Sequence, residues 1–210
     1  MKRIIKYFSV VLSVLAVGVT VTSAEKEATK LHAKLVGIEE VPSATIITSA
    51  TGTFSGTIND DSTLTYTLTY SNLSSAIKQS HIHIGATKIS GGISIFLCTN
   101  LANGPAGTPT CPDDATHSGT VSRTVSAADV TAGAAGQGVP AGDFADVVRA
   151  IVSHVTYANV HTANFPSGEI RGQIRSTEDK DDELPGADRH HRKDRGDHKD
   201  DHNDGDHDNH

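Results

Sequence analysis

Residues 64–70 read LTYTLTY, and this stretch indicates the fold class. Leucine and tyrosine alternate with threonine at every second position. Successive side chains of a β-strand point to opposite faces of a sheet, so this alternation predicts a strand with one buried face. Tyrosine and threonine are also residues that favour strands.

Other short runs of β-branched residues lie on both sides of this strand. They are predicted as strands at residues 31–38, 52–58, 77–84, 93–98, 119–125, 156–161 and 169–175. Glycine, proline, asparagine and aspartate separate them, which is typical of antiparallel sandwiches and barrels. We therefore predict an all-β fold, an antiparallel, Greek-key-like β-sandwich.

One segment has helical spacing. In residues 143–152, Phe144, Val147, Val148 and Ile151 recur at i, i+3, i+4 and i+7, and Asp143 precedes them as a candidate N-cap. The prediction is one short amphipathic helix on a β fold.

Both ends of the 210-residue chain differ from the middle. Residues 1–24 have a basic start, an apolar run and small residues at the end, which predicts a secretory signal peptide. Residues 177–210 contain 13 Asp/Glu, 6 Lys/Arg and 6 His and almost no aliphatic residue, which predicts a disordered Asp/His-rich tail. Residues 25–176 form the predicted domain.

The chain has two cysteines, Cys98 and Cys111. A signal peptide places them in an oxidising compartment, where a disulfide is favoured over free thiols. The location predicted is secreted or extracytoplasmic, meaning periplasmic, wall-associated or extracellular. After signal removal we expect no transmembrane segment, and the nearly neutral domain gives no indication of nucleic-acid binding.

The stretch SHIHIG places His81 and His83 two residues apart in a predicted strand. Both imidazoles therefore share one face of it. In the strands 156–161 and 169–175, the same alternation puts His161, Glu169 and Arg171 on polar faces. If these strands are neighbours, all five side chains share one polar sheet face.

Two interpretations of this face remain open. His81, His83 and His161 are candidate ligands of zinc or copper, with Glu169 or water as a weak fourth ligand. Alternatively, the histidines only form hydrogen bonds on a polar face. Glu169 and Arg171 are expected to make structural pairs with each other or across strands.

The ordered motifs GIEEVP, SHIHIG, FLCTN, GTPTCP, YANVHT and FPSGEIRGQI resemble the CHRD domain, the module named after chordin. The resemblance covers residues 31–174. It implies a single β-sandwich similar to copper/zinc superoxide dismutase, with no established enzymatic activity. The motif residues Asn159, Gly168, Arg171 and Gly172 take structural roles by this resemblance.

We predict an exported, non-catalytic binding or interaction module that is a candidate for divalent-metal binding. The chain has no catalytic triad, phosphate-binding loop or CxxC pair, and the six histidines of residues 25–176 are too few for the two metal sites of a dismutase. The alternatives are a copper or zinc metalloprotein or enzyme using the same histidines, and a matrix or cell-surface structural protein. The expected partner is an extracellular protein or surface component. His198, His202 and His207 of the tail are candidates for weak divalent-cation binding.

Overall fold

The computed structural model describes residues 28–41, 45–60 and 62–177. The predicted signal peptide, residues 1–24, lies outside the described residues. The predicted tail, residues 177–210, lies outside them except for Thr177.

The described residues form one nine-stranded antiparallel sheet. The strands are β1 (Thr29–Val36), β2 (Thr51–Ile58), β3 (Leu64–Ser71), β4 (Ile77–Ile84), β5 (Ile93–Thr99), β6 (Gly119–Val125), β7 (Thr156–Thr162), β8 (Ile170–Gln173) and β9 (Arg175–Ser176). Their order is β5-β4-β7-β8-β1-β2-β3-β6, with β9 paired to β1. The all-β prediction is confirmed.

The sheet is nearly closed around one core. Leu64, Tyr66, Leu68 and Tyr70 of β3 are all buried, as the alternation in LTYTLTY predicts. The hydroxyl of Tyr66 donates a hydrogen bond to the carbonyl oxygen of Leu97 at 2.5 Å, which links β3 to the edge strand β5 across the core. The buried apolar side chains of the strands and of the helix belong to one cluster, so the sheet folds over a single core.

A disulfide joins Cys98 on β5 to Cys111 in the loop before β6. The Cα atoms are 5.0 Å apart, within the usual range for a disulfide. This confirms the predicted bridge, which ties the two edges of the sheet together.

The helix α1 (Phe144–Val152) is the single α-helix of the described residues. The side chain of Asp143 accepts a hydrogen bond from the amide of Asp146 at 3.0 Å, so the predicted N-cap is confirmed. Phe144, Val147 and Ile151 are buried against the core. Within the described part of the chain, no helix is long and apolar enough to cross a membrane.

Two predicted strand boundaries were wrong. The predicted strand 169–175 is divided at Ile174: residues 170–173 pair with β7, the amide of Ile174 makes a last hydrogen bond to Thr156 of β7, and residues 175–176 pair with β1. The first strand, predicted at residues 31–38, begins at Thr29 and ends at Val36. It ends there because a 3-10 turn, Gly37–Glu39, follows it.

Candidate metal centre

The order of the strands brings the predicted site residues together. β4 pairs with β7, and β7 pairs with β8. In this register His83 lies opposite Tyr157, and Gln79 lies opposite His161. The strands whose polar residues the sequence placed on similar faces are therefore neighbours.

His81, His83 and His161 form a compact cluster. One nitrogen from each ring lies within 4.8 Å of the others, so the three side chains could hold one metal ion. His81 Nδ1 is 3.2 Å from His161 Nε2. The ring centroids of His81 and His83 are 5.4 Å apart, and the rings are nearly perpendicular.

The cluster is buried, although it lies on the sheet face that the sequence predicted to be polar. The exposed fractions are 0% for His81 and 8% for both His83 and His161. Loops cover this face: Gly91 contacts His83, and Pro166 contacts His161. Strand periodicity assigns residues to a face, but it does not reveal which loops fold over that face.

Two backbone carbonyls orient the rings. Nδ1 of His83 is 2.9 Å from the carbonyl oxygen of Gly91, and Nδ1 of His161 is 2.9 Å from that of Pro166. A carbonyl oxygen only accepts hydrogen bonds, so Nδ1 carries the proton in each ring and Nε2 keeps its lone pair. Metal-ligating histidines are commonly held in this way by their second nitrogen.

Burial keeps the three imidazoles neutral. It lowers the pKa of His81 from 6.5 to about 2, with further lowering from His161 and His83. Burial also lowers the pKa of His83 to about 4, and it lowers the pKa of His161. Neutral imidazole is the form that binds metal ions.

Two ring nitrogens of the cluster have no hydrogen-bond partner. They are Nε2 of His81 and Nε2 of His83, and both are buried. A buried polar atom without a partner costs roughly 1–3 kcal/mol, so such atoms are uncommon. A bound cation would satisfy both lone pairs.

The cluster fits the dimensions of a transition-metal site. Metal–nitrogen bonds of about 2.0–2.1 Å in tetrahedral geometry separate two ligand nitrogens by about 3.3 Å. The 3.2 Å between His81 Nδ1 and His161 Nε2 is a hydrogen-bond contact, and it leaves His81 Nε2 available to an ion. The ring nitrogens lie within 4.8 Å of one another, so the most distant pair has to approach by up to about 1.5 Å when an ion binds.

The structure does not bring Glu169 into the cluster. Its carboxylate is fully buried and accepts hydrogen bonds from Thr48, Thr162, and both the amide and the hydroxyl of Ser74, at 2.8–3.0 Å. These donors occupy both oxygens, and Glu169 therefore anchors the loops around β7 and β8.

Arg171 does not pair with Glu169 in the described residues. Its guanidinium donates to the carbonyl oxygens of Ala86 and Ile89 and lies 3.4 Å from the ring centroid of Tyr157. The Tyr157 ring in turn stacks on His83, with centroids 4.7 Å apart. Arg171 thus holds the covering loop over the cluster.

Sequence reasoning missed Glu40, which lies beside the cluster. It is 5% exposed, and its carboxyl accepts a hydrogen bond of 2.5 Å from the amide of Asn159. Burial raises the pKa of Glu40 from 4.5 to about 8, although nearby Arg171 opposes this. Glu40 follows a 3-10 turn, where no periodic pattern could identify it.

Two glycines of the motif make room for this arrangement. Gly168 has φ of +128°, and a Cβ there would lie 2.6 Å from Glu40 Oε2. A Cβ on Gly172 would lie 2.3 Å from the carbonyl oxygen of Lys34, so β8 packs closely on β1. His198, His202 and His207 lie outside the described residues.

The fold and this cluster define a small disulfide-linked β domain with a candidate metal centre. The family model for the CHRD domain matches residues 31–174. The chain therefore belongs to the CHRD family. No curated protein and no solved structure matches it. The expected likeness to copper/zinc superoxide dismutase stays a prediction.

Proposed function

We propose that this CHRD-family chain is an exported, non-catalytic binding module that holds one zinc or copper ion between His81, His83 and His161. The observation that carries the proposal is the pair of buried nitrogens without partners, His81 Nε2 and His83 Nε2. An ion would act here by joining β4 to β7 and by fixing the covering loops.

Two further features support metal binding, and a third supports export. All three imidazoles are neutral, so no proton has to leave a ring before its lone pair can bind. The carbonyls of Gly91 and Pro166 already orient two of the rings. The disulfide and the CHRD family both fit an extracytoplasmic location.

The test is metal stoichiometry on the whole chain. After dialysis against a weak chelator, which removes ions held loosely elsewhere, the wild type is expected to retain one ion per chain. His81→Phe keeps a ring of similar shape beside Phe96 and is expected to lose that ion. His117→Phe, at a partly exposed histidine that is paired with Asp113 and lies outside the cluster, is the matched control and should keep the ion. Equal retention in all three proteins would refute the proposal.

An enzyme built on the same histidines is the alternative. Redox turnover by the metal-loaded wild type that is absent from His81→Phe would favour it. We expect no such turnover, because the side chains around the ion are buried and leave little access for a substrate.

A second candidate function is contact with an anionic surface polymer. The outer face of β1, β2, β3, β6 and β9 carries threonines and serines, bordered by Lys30, Lys34 and Arg175, and these five strands contain no aspartate or glutamate. Charge complementarity favours a polyanion on this face.

Retention on a dextran sulfate resin, with neutral dextran as reference, tests this second candidate. The variant Lys30→Gln/Lys34→Gln is expected to elute at lower salt than the wild type, and Lys78→Gln on β4 should elute with the wild type. Identical elution of all three would contradict it.

A further inference from the structure

None of the three ligands in the histidine cluster carries a negative charge, and the carboxyl of Glu40 beside it is held by Asn159 and is not one of the ligands. The ligands are three neutral imidazoles. Both cysteines are joined in the disulfide, so no thiolate exists among the described residues. The carboxylate of Glu169 is held by Thr48, Ser74 and Thr162 outside the cluster.

A fixed positive charge lies nearby instead. Arg171 is 2% exposed, and its guanidinium packs on the ring of Tyr157. Tyr157 belongs to β7, between β4 and β8, and its ring also stacks on the ring of His83. A cation in the cluster is therefore repelled by Arg171 across one aromatic ring. This repulsion is proportional to the charge of the ion, and the cost of burying an ion rises more steeply with charge.

The coordination number also disfavours zinc at this cluster. Zinc is almost always four-coordinate in proteins, with water completing three-ligand sites. The cluster supplies three nitrogens, and the ring edge of Phe96 packs on His81 with centroids 4.4 Å apart. A fourth ligand would have to be water in a nearly solvent-free site. Copper(I) is stable with two or three ligands, and imidazole is a good ligand for copper.

Building on the metal-binding function proposed above, we infer that the cluster selects copper(I) over zinc(II). The ion enters as copper(I), so no oxidant or reductant takes part in binding. The three neutral ligands do not compensate the charge of the ion, and Arg171 repels it, so a divalent ion is disfavoured. The missing fourth ligand disfavours zinc in particular.

The test is a pair of anaerobic competition titrations on the whole chain, one with copper(I) against a chromogenic copper(I) chelator and one with zinc against a fluorescent zinc chelator. Subtracting the titration curve of His81→Phe from that of the wild type removes the contribution of ions bound elsewhere in the chain. The expected result is one copper(I) per chain and a zinc affinity at least 100-fold weaker. Zinc bound at the cluster as tightly as copper(I) overturns the selectivity but leaves the metal function standing. Binding of neither ion overturns both.

Arg171→Met tests the electrostatic cause. Removing the positive charge should raise the affinity for both ions. The factor for zinc(II) should be the square of the factor for copper(I), because zinc(II) carries twice the charge and the repulsion energy is proportional to that charge. Arg171→Lys keeps the charge and should keep the wild-type ratio of affinities. Equal factors for the two ions in Arg171→Met, or a change of ratio in Arg171→Lys, would overturn the role of this charge.

Discussion

Replacing Glu40 with glutamine should remove a large pH dependence of stability. Burial raises the pKa of Glu40 from 4.5 to about 8 in the folded chain. Between these values the folded state holds a proton that the unfolded state has released. The contribution of Glu40 to stability is therefore complete below pH 4.5 and is lost as pH rises through 8.

The magnitude follows from the two pKa values. One pKa unit is worth about 1.4 kcal/mol, so the Glu40 contribution should fall by about 4 kcal/mol between pH 5 and pH 8.5. Glutamine keeps the shape and a carbonyl oxygen that can accept the hydrogen bond from Asn159. Because it does not ionise, Glu40→Gln should lose stability more slowly than the wild type as pH rises.

Urea unfolding of the metal-free proteins at pH 5 and pH 8.5 measures this effect. The difference in unfolding free energy between Glu40→Gln and wild type should change by about 4 kcal/mol in favour of the variant from pH 5 to pH 8.5. Groups common to both proteins cancel in this comparison. A difference that is the same at both pH values would refute the burial of a protonated Glu40.

The same unfolding assay checks three further predictions. Cys98→Ala/Cys111→Ala should lower stability by about 3 kcal/mol, because the crosslink restricts the unfolded chain, and an unchanged urea midpoint would contradict this. Gly168→Ala should lower the free energy of unfolding by about 2–3 kcal/mol. The control Gly136→Ala, where the new Cβ has open space, should change it little, and equal losses in the two variants would argue against the predicted clash. In the Glu40→Gln background, stability should fall by about 2 kcal/mol from pH 6.5 to 5.5, because the unfolded chain protonates His81 and His83 while the folded chain keeps both neutral. The lowered pKa of His161 should add to this fall, and a flat profile would show that the histidines titrate normally.

Alternation along the strands was enough to predict which side chains share one face of each strand. It placed His81, His83 and His161 on polar sides of their strands, and Tyr66 and Leu68 in the core. Period 2 is a property of the backbone, so it holds whatever the neighbouring strands are. The histidine cluster depended in addition on β4 pairing with β7, two strands that lie far apart in the sequence.

Loops account for what the sequence did not predict. The carbonyls of Gly91 and Pro166, which orient two histidines, belong to irregular segments, and Glu40 follows a 3-10 turn. Neither kind of segment has a periodic pattern. The interpretation of Glu169 as a weak ligand rested on its face alone, and the donors that hold it come from Thr48, Ser74 and Thr162.

The most direct test of the metal centre is X-ray absorption spectroscopy of the copper- or zinc-loaded chain, beside His81→Phe. We predict a first shell dominated by three imidazole nitrogens at about 2.0 Å, with the outer-shell scattering that is characteristic of imidazole rings. This spectrum should be lost in His81→Phe. An oxygen-rich shell that is the same in both proteins would place the metal elsewhere in the chain and leave the three histidines with a structural role.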